Sequence, residues 1–546
     1  MSVIKELIRQ RKYEELWQLS CGFIDISMSE FMAIQQRLLV EQLELLKNCE
    51  LGRKVMCGAI PNTVEEFRMN VPLTTYIDYC PELLEQNEDV LPGKPIFWAH
   101  TSGRSGEYPF KWFPMSERFW EVLGPVICAS RLFATCKFKG HVAVDLNYRV
   151  LYATAPFPYT SGVIARKLEE DFAYRYLPPL DESEQMSFEA RLEKGFWMAL
   201  SGGMNGFFGL TGVLVAIGER FSSGSRSIKI SSLLMKPGAL FRIIGGLIKS
   251  KIAGRGILPK DLWSIHGIAC GGTDSVIYKN KIEKMWGVRP LEAYVCTEGL
   301  IIAMQTLDRG GMTFVPNLNF LEFIPESEHF KWRLDNTYKP KTVLLDEVEP
   351  GKNYEMVITN FHGGALVRYR IGDMIRITAL RNNALNIDIP QMVFERRADE
   401  LIDIAGFTRL TEKVIWQAIE NIGIPYVDWT VRKDICSNKS VLHLYLELKT
   451  GNSYREEEIA SAVHEQLKKL DDDYINLESI LGLKPIVVTL LEAGAFLRFI
   501  AKRMAEGADL AHIKPPHINP SDEVLTILGV EIIPLQKAGT TSIKRK

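Results

Sequence analysis

Four segments of this 546-residue chain combine residue types suited to holding a phosphorylated ligand. The first is Thr101-Ser102-Gly103-Arg104-Ser105-Gly106, followed by Pro109 and Lys111. Glycines and short hydroxyl side chains leave backbone N–H groups unshielded, so an anion can approach them closely; Arg104 and Lys111 add positive charge. The G-x-x-x-x-G-K-[ST] spacing of a Walker A loop is absent, and a plain Gly/Ser surface turn is the alternative reading. The second is Tyr294-Val295-Cys296-Thr297-Glu298-Gly299, preceded by Gly271-Gly272-Thr273-Asp274. A glutamate beside a threonine hydroxyl offers hard oxygen ligands of the kind Mg²⁺ shares with nucleotide phosphates; otherwise Glu298 caps or starts a helix. The third, Tyr369-Arg370-Ile371-Gly372-Asp373, sets an aspartate just after a glycine turn at a strand end. There it can accept hydrogen bonds from a ribose diol, or it forms an Arg/Asp ion pair at a turn. The fourth, Arg397-Ala398-Asp399-Glu400-Leu401-Ile402-Asp403-Ile404-Ala405-Gly406, provides a cation for phosphate or ribose in Arg397, and Asp399 where an interdomain hinge would fall.

The elements that must position these residues show two textures. The first 50 residues read as helices, with Leu38, Leu39, Leu43 and Leu46 at three- and four-residue spacing. From about residue 90 to 375, short apolar runs such as residues 141–146 and 356–359 alternate with helical stretches and Gly-rich turns, a mixed α/β pattern. Residues 262–270 read as a buried strand that empties into Gly271-Gly272-Thr273 at its carboxyl end, where open α/β sheets bind ligands. After Arg397 a small α+β unit is expected: a helix over residues 412–422, a strand over 441–448, a helix over 456–470 and a strand over 485–491. The domains expected are therefore 1–396, with a helical start over 1–50, and 397–546.

Lys+Arg 65 against Asp+Glu 67 gives a net charge of −2, which lacks the basic field of a nucleic-acid binder. Nine scattered cysteines, none spaced C-x-x-C, argue against a disulfide scaffold or a thiolate zinc site and fit reduced thiols in a cytoplasm. The charged, helical start argues against a secretory signal, and no run of uncharged apolar residues is long enough to span a membrane. The nearest approach, residues 238–254, contains Arg242, Lys249 and Lys251 and reads as a half-buried helix, with a helix on a membrane surface as the alternative.

Taken together and in order, the Gly/hydroxyl loop, G-G-T, Y-x-x-T-E, Y-R-x-G-D and R-x-D motifs resemble the adenylate-forming superfamily of acyl-CoA synthetases, adenylation domains and luciferases. Within it the chain is similar to the acyl acid–amido synthetase branch, known from auxin-responsive plant enzymes that join hormones to amino acids. The branch resemblance rests on Trp112-Phe113-Pro114-Met115-Ser116 after the loop and on Val357-Ile358-Thr359 ahead of Leu366-Val367-Arg368-Tyr369-Arg370. It rests also on the helical start and on Gly507-Ala508-Asp509-Leu510-Ala511-His512-Ile513-Lys514-Pro515-Pro516 near the end. The chain departs from the family pattern at Arg104, Arg396, Asp403, His512-Ile513 and Pro516.

The resemblance implies an α/β fold, with a large mixed-sheet N-terminal adenylation domain and a smaller mobile α+β C-terminal domain. It implies ATP and Mg²⁺ as cofactors. Thr101, Ser102, Gly103, Arg104, Ser105 and Gly106 would hold the β- and γ-phosphates, and Glu298 with Thr297 would position the metal. Gly271, Gly272, Thr273 and Tyr294 would surround the adenine, Asp373 the ribose, and Arg397 would contact the nucleotide. Lys514 would act on the α-phosphate, with Lys544 in Thr541-Ser542-Ile543-Lys544 as the competing catalytic lysine. The expected reaction is adenylation of a carboxylic acid and transfer of the acyl group to an amine, such as an amino acid. The same adenylation with coenzyme A or a carrier-protein thiol is the alternative, and a nucleotide-responsive scaffold is a third reading. The turn from Ala155 to Gly162 matches a region that borders the acid in that branch, but aromatic turn residues are as readily core packing.

Overall fold

The computed structural model describes residues 2–101, 108, 110–144, 147–172, 174–222, 237–271, 275–398, 401–404, 408–436, 439–471, 474–475, 486–510 and 513–531. The chain divides into two compact units, Met1–Glu395 and Arg396–Lys546.

In the first unit the leucine periodicity near the start becomes helix α1 (Met28–Lys47), whose Ser27/Glu30 capping box satisfies its first turn. Leu38, Leu39, Leu43 and Leu46 are all buried. Two glutamines on the same helix are buried as well. Gln35 donates to Pro316 O (2.5 Å) and Asn319 O (2.8 Å) and accepts from Leu321 N–H (2.9 Å). Gln42 donates to Gly364 O (2.9 Å) and accepts from Gly363 N–H (2.8 Å). The polar side chains are tolerated there because they satisfy backbone groups of β10 and of the turn at 363–364.

Strands β1 (Pro95–His100) and β2 (Trp112–Ser116) pair antiparallel across the Gly/hydroxyl loop. Helix α2 (Glu117–Thr135) follows. Strands β3 (Arg149–Ala153), β4 (Arg175–Leu177), β5 (Gly206–Leu210) and β6 (Gly267–Gly271) form a parallel sheet in the order β4-β3-β5-β6. Helices α3 (Thr160–Phe172), α4 (Phe188–Gly202) and α5 (Pro237–Ile252) belong to this layer. A second, seven-stranded sheet contains β7 (Ala293–Cys296), β8 (Leu300–Gln305), β9 (Met312–Phe314), β10 (Asn319–Pro325), β11 (Asn353–Asn360), β12 (Tyr369–Ala379) and β13 (Gln391–Arg397). Its order is β10-β11-β12-β13-β9-β8-β7. Parallel and antiparallel strands are thus segregated into separate sheets, joined by a bridge between Ala269 and Leu291.

Two sequence expectations fail here. Residues 141–144 form no strand; the nearest strand begins at Arg149, where the aliphatic run Val150–Leu151 can be buried on both faces. The strand expected over 262–270 starts only at Gly267, because Pro259 opens a short helix, Pro259–Leu262, and Asp261 accepts from Leu258 N–H (2.8 Å) to cap it.

The second unit contains β14 (Leu401–Ile404) paired with β15 (Thr408–Thr411), then helix α6 (Glu412–Asn421). Strands β16 (Tyr426–Cys436), β17 (Lys439–Leu448) and β18 (Ile486–Leu490) form a mixed sheet, and helix α7 (Glu456–Leu470) packs beside β18. Trp429, Val431, Leu442, Leu444, Leu446, Ile459 and Val463 make its core.

Candidate active site

In the first unit the singled-out residues that are described gather around the β7–β8 turn, the middle of β12 and the base of the Gly/hydroxyl loop. The Gly/hydroxyl loop is closed at its base. Thr101 N–H donates to Lys111 O (3.0 Å), and Lys111 N–H donates to Thr101 Oγ1 (3.2 Å). Residues 102–107 and 109, with Ser102, Gly103, Arg104, Ser105 and Gly106 among them, lie outside the described residues. Next to the base, His100 is buried among aromatic rings: Phe110 at 4.4 Å, Trp112 at 4.7 Å and Tyr159 at 4.3 Å between centroids. Burial pulls its pKa down, so a neutral imidazole donates from Nδ1 to Thr101 O (2.8 Å).

Tyr159 and Thr160 link this base to the Y-x-x-T-E motif, for Thr160 Oγ1 lies 2.6 Å from Thr297 Oγ1. Glu298 sits in the turn between β7 and β8, not at a helix start, so the helix-cap reading of Glu298 is overturned. Two asparagines absent from the sequence reading pin that turn. Asn360 Nδ2 donates to Glu298 O (2.8 Å) and to Asn319 Oδ1 (2.9 Å), and Asn319 Nδ2 donates to Gly299 O (2.8 Å). Leu300, at the end of the turn, takes φ 55°, a left-handed conformation that costs a branched side chain about 1–3 kcal/mol. These bonds fix the backbone from which the Glu298 side chain projects. Asparagines one strand apart carry no sequence signal as a pair; their partnership appears only when β10 and β11 align Asn319 opposite Asn360.

Asp373 lies inside β12, where a terminal position was expected. The β11–β12 register slips between Glu355/Met374 and Val357/Arg370, and Gly372 takes φ 76° in the resulting bulge. A bulge redirects a side chain without ending the strand. Asp373, buried, accepts from Tyr294 Oη (2.8 Å). The alternative Arg/Asp pair does not form: Arg370 bonds Glu355 at 2.8 and 2.9 Å, and His329 Nδ1 lies 2.6 Å from the same carboxylate. Arg368 also turns inward, to Glu322 at 2.7 and 3.0 Å. The two arginines of Leu366-Val367-Arg368-Tyr369-Arg370 therefore anchor the strand that carries Asp373.

Glu298 and Asp373 share one environment. Burial pushes the Cys296 thiol far above its ordinary pKa, and the charges of Glu298 and Asp373 push it the same way. Burial likewise raises Tyr369, with Glu298 again adding to the effect. Thr101, Tyr294, Thr297, Glu298 and Asp373 thus line one connected region. Gly271 ends β6, while Gly272 and Thr273 lie outside the described residues. Among the described residues no group of three or more His, Cys, Asp or Glu side chains could hold a metal ion. An oxygen-only set of Glu298 and Thr297 fits a hard cation that takes its remaining ligands from phosphate and water.

In the second unit Arg397 is half-buried at the end of β13, and Arg396 Nη1 donates to Arg397 O (3.3 Å). Asp399 and Lys544 lie outside the described residues. Lys514 is half-buried on a segment fastened to β16: Thr430 Oγ1 donates to Pro516 O (2.6 Å), Val431 N–H to His517 O (2.7 Å) and Asn519 N–H to Val431 O (2.8 Å). His517, three residues beyond Lys514, is clamped between Glu412 (2.6 Å) and Asp428 (2.9 Å) and stacks on Trp429 at 4.4 Å. Burial opposes its protonation, but the hydrogen bonds to Asp428 and Glu412 outweigh it and raise the pKa from 6.5 to about 9.

A group with a raised folded-state pKa stabilises fully below its unfolded value and loses that contribution as pH climbs through the folded value. The unit should therefore lose about 3 kcal/mol between pH 6.5 and 9 from this residue. Thermal melts across that window should show the decline, and His517→Gln should flatten it; an equal decline in the variant would assign it elsewhere.

Comparison with known proteins gives three family matches: the GH3 family N-terminal domain over residues 21–169, the central domain over 312–397 and the C-terminal domain over 410–523. Among curated relatives, jasmonoyl-L-amino acid synthetase JAR4 of Nicotiana attenuata is 28% identical over 286 residues, covering 49% of this chain and 46% of the relative. The 4-substituted benzoates-glutamate ligase GH3.12 of Arabidopsis thaliana is 27% identical over 238 residues, 40% of this chain and 39% of the relative. The chain thus spans less than half the length of these curated relatives. Among solved structures, an AtGH3.15 acyl acid amido synthetase in complex with 2,4-DB superposes with a TM-score of 0.64 at 17% identity, covering 94% of this chain and 96% of that one. A 2-hydroxyisobutyryl-CoA ligase in the postadenylation state, in complex with 2-HIB-AMP, gives 0.60 at 14% identity, covering 92% of each chain. At such identities the likeness is one of fold.

Proposed function

This chain belongs to the GH3 family, and from that premise we propose that it is an ATP-dependent ligase joining a carboxylic acid to an amine. The carboxylate oxygen attacks the α-phosphorus of ATP and pyrophosphate leaves, which yields an acyl-AMP. The amine nitrogen then attacks the acyl carbon, AMP departs with the C–O bond electrons, and the nitrogen gives up a proton. The observation that supports this reading best is that Tyr294 bonds Asp373, that the Glu298 and Asp373 charges act on the one Cys296 thiol, and that Thr297 is tied through Thr160 to the neighbourhood of the loop base.

Such a reaction asks the protein for alignment and charge neutralisation more than for covalent chemistry. The loop from Thr101 to Gly106 holds the β- and γ-phosphates through backbone N–H groups. Glu298 and Thr297 would hold a Mg²⁺ ion, which would supply charge neutralisation at the phosphates. Gly271, Gly272 and Thr273 border the adenine together with Tyr294, whose hydroxyl also bonds one oxygen of Asp373, and Asp373 binds the ribose diol. Arg397 contacts the nucleotide, and Lys514 supplies the cation for the α-phosphate and the acyl carboxylate. The second unit acts as a mobile domain pivoting near Asp399 between the two half-reactions. Reduced thiols, seen as free cysteines at Cys21, Cys49, Cys57, Cys80, Cys128, Cys136 and Cys296, suit a cytoplasmic setting.

The acceptor decides between this reading and a thioester ligase. Incubation with ATP, a panel of acids and either amino acids or coenzyme A should give a product whose mass is acid plus amino acid less water. A thioester to coenzyme A, with no amide in any mixture, would overturn the amide assignment and keep the adenylation.

A further inference from the structure

Helix α5 turns its apolar side outward. Its inner face, Ala239, Gly246 and Ser250, is buried, and packing there is tight: a Cβ on Gly246 would meet Leu262 Cδ2 at 2.7 Å. On the opposite face Phe241 is 76% exposed, Ile244 45%, Ile248 56% and Ile252 83%. These four recur at three- and four-residue spacing and so make one continuous stripe. With 3.6 residues per turn, exposed Lys251 falls to one side of the stripe and exposed Lys249 to the other. Isolated exposed apolar residues need no explanation, but a continuous stripe along a helix does.

Charge identifies what covers it. Between Glu219 and Asp261 the sequence carries nine Lys or Arg residues and not one Asp or Glu, in a chain whose net charge is −2. An apolar stripe flanked by lysines that can extend sideways to phosphates is the pattern of a helix lying in the plane of a bilayer surface. Among the described residues no helix is long and apolar enough to cross a membrane, so the contact is peripheral. We propose that α5 docks the protein onto an anionic lipid surface, with Phe241, Ile244, Ile248 and Ile252 entering the headgroup boundary and Lys249 and Lys251 engaging lipid phosphates. The helix is half-buried, as its sequence suggests, and its outward face is a binding face. This inference is independent of the ligase assignment.

The test is cosedimentation of the full chain with vesicles of phosphatidylcholine alone and of phosphatidylcholine mixed with phosphatidylglycerol. Binding to the anionic vesicles is expected to exceed binding to the neutral ones roughly tenfold or more and to weaken sharply in high salt. Ile248→Asp with Ile252→Asp should abolish it, and Lys249→Glu with Lys251→Glu should remove its dependence on lipid charge. All four side chains are exposed, so melting temperatures should match the parent chain and separate lost docking from lost folding. Equal binding to both vesicles, or anionic binding untouched by the aspartates, would overturn the proposal. So would a self-association in solution that Ile248→Asp disperses while vesicles bind nothing, which would assign the face to a second copy.

Discussion

Lys514→Ala is expected to lower acid-dependent ATP–pyrophosphate exchange by about 10²–10³ while leaving ATP binding close to that of the parent chain. Loss of one preorganised charge-stabilising group at a developing anion costs a factor of that size, about 3–4 kcal/mol in the transition state. The factor is large only if the lysine is presented in a fixed place, and the packing around it supplies that. Lys514 is half-buried, and the segment carrying it is fastened to β16 through Thr430, Val431 and the clamped His517. Lys514→Arg, which keeps charge but changes its shape, should recover only part of the rate. Lys544→Ala should be close to neutral. Exchange that survives in Lys514→Ala and disappears in Lys544→Ala would transfer the role to the terminal lysine.

Glu298→Gln is expected to reduce the same exchange on the order of 10²-fold or more and to raise the Mg²⁺ concentration needed for half-maximal rate. The substitution keeps the side-chain shape, and the turn is held through backbone carbonyls by Asn360 and Asn319, so the fold should not change. What disappears is one half-buried negative charge that acts, with Asp373, on Cys296. Glu298→Asp should restore part of the activity with a displaced metal dependence. Asp373→Asn, by contrast, should raise the KM for ATP with little change in the Mg²⁺ requirement, because the ribose and the metal are assigned to different carboxylates. An unchanged Mg²⁺ titration in Glu298→Gln would remove Glu298 from the metal site.

Much of the second unit was legible because periodicity alone determines it: the helix over 456–470 and the strand ending at Leu448 follow from spacing of apolar residues. Where the pattern misled, a local device had overridden it. Pro259 and Asp261 build a helical turn inside an apolar run, and Gly372 inserts a bulge into a strand that otherwise reads as ending. The candidate site residues Tyr294, Thr297, Glu298 and Asp373 stand out in the sequence through motif order, since the chemistry proposed for each is written in its own side chain. Their supports were not. Asn319, Asn360, Glu322 and Glu355 are ordinary polar residues in sequence, and their roles exist only through pairings across strands, Arg368 with Glu322 and Arg370 with Glu355 being the clearest. Thr160 and Tyr159 lay in a turn whose aromatic residues read equally as packing. His517 stands just past the segment that carries Lys514, and its two carboxylate partners lie 105 and 89 residues away, where no local spacing signals them.

The central claim is that this chain activates a carboxylic acid as its adenylate. Isotope exchange between pyrophosphate and ATP, measured with the full chain and Mg²⁺ over a broad panel of carboxylic acids and no acceptor, reads that step alone. The expected result is exchange that depends on one chemical class of acid and vanishes when the acid or Mg²⁺ is omitted. Measurable ATP binding with no exchange for any acid would contradict the claim and leave a nucleotide-binding protein without adenylating activity.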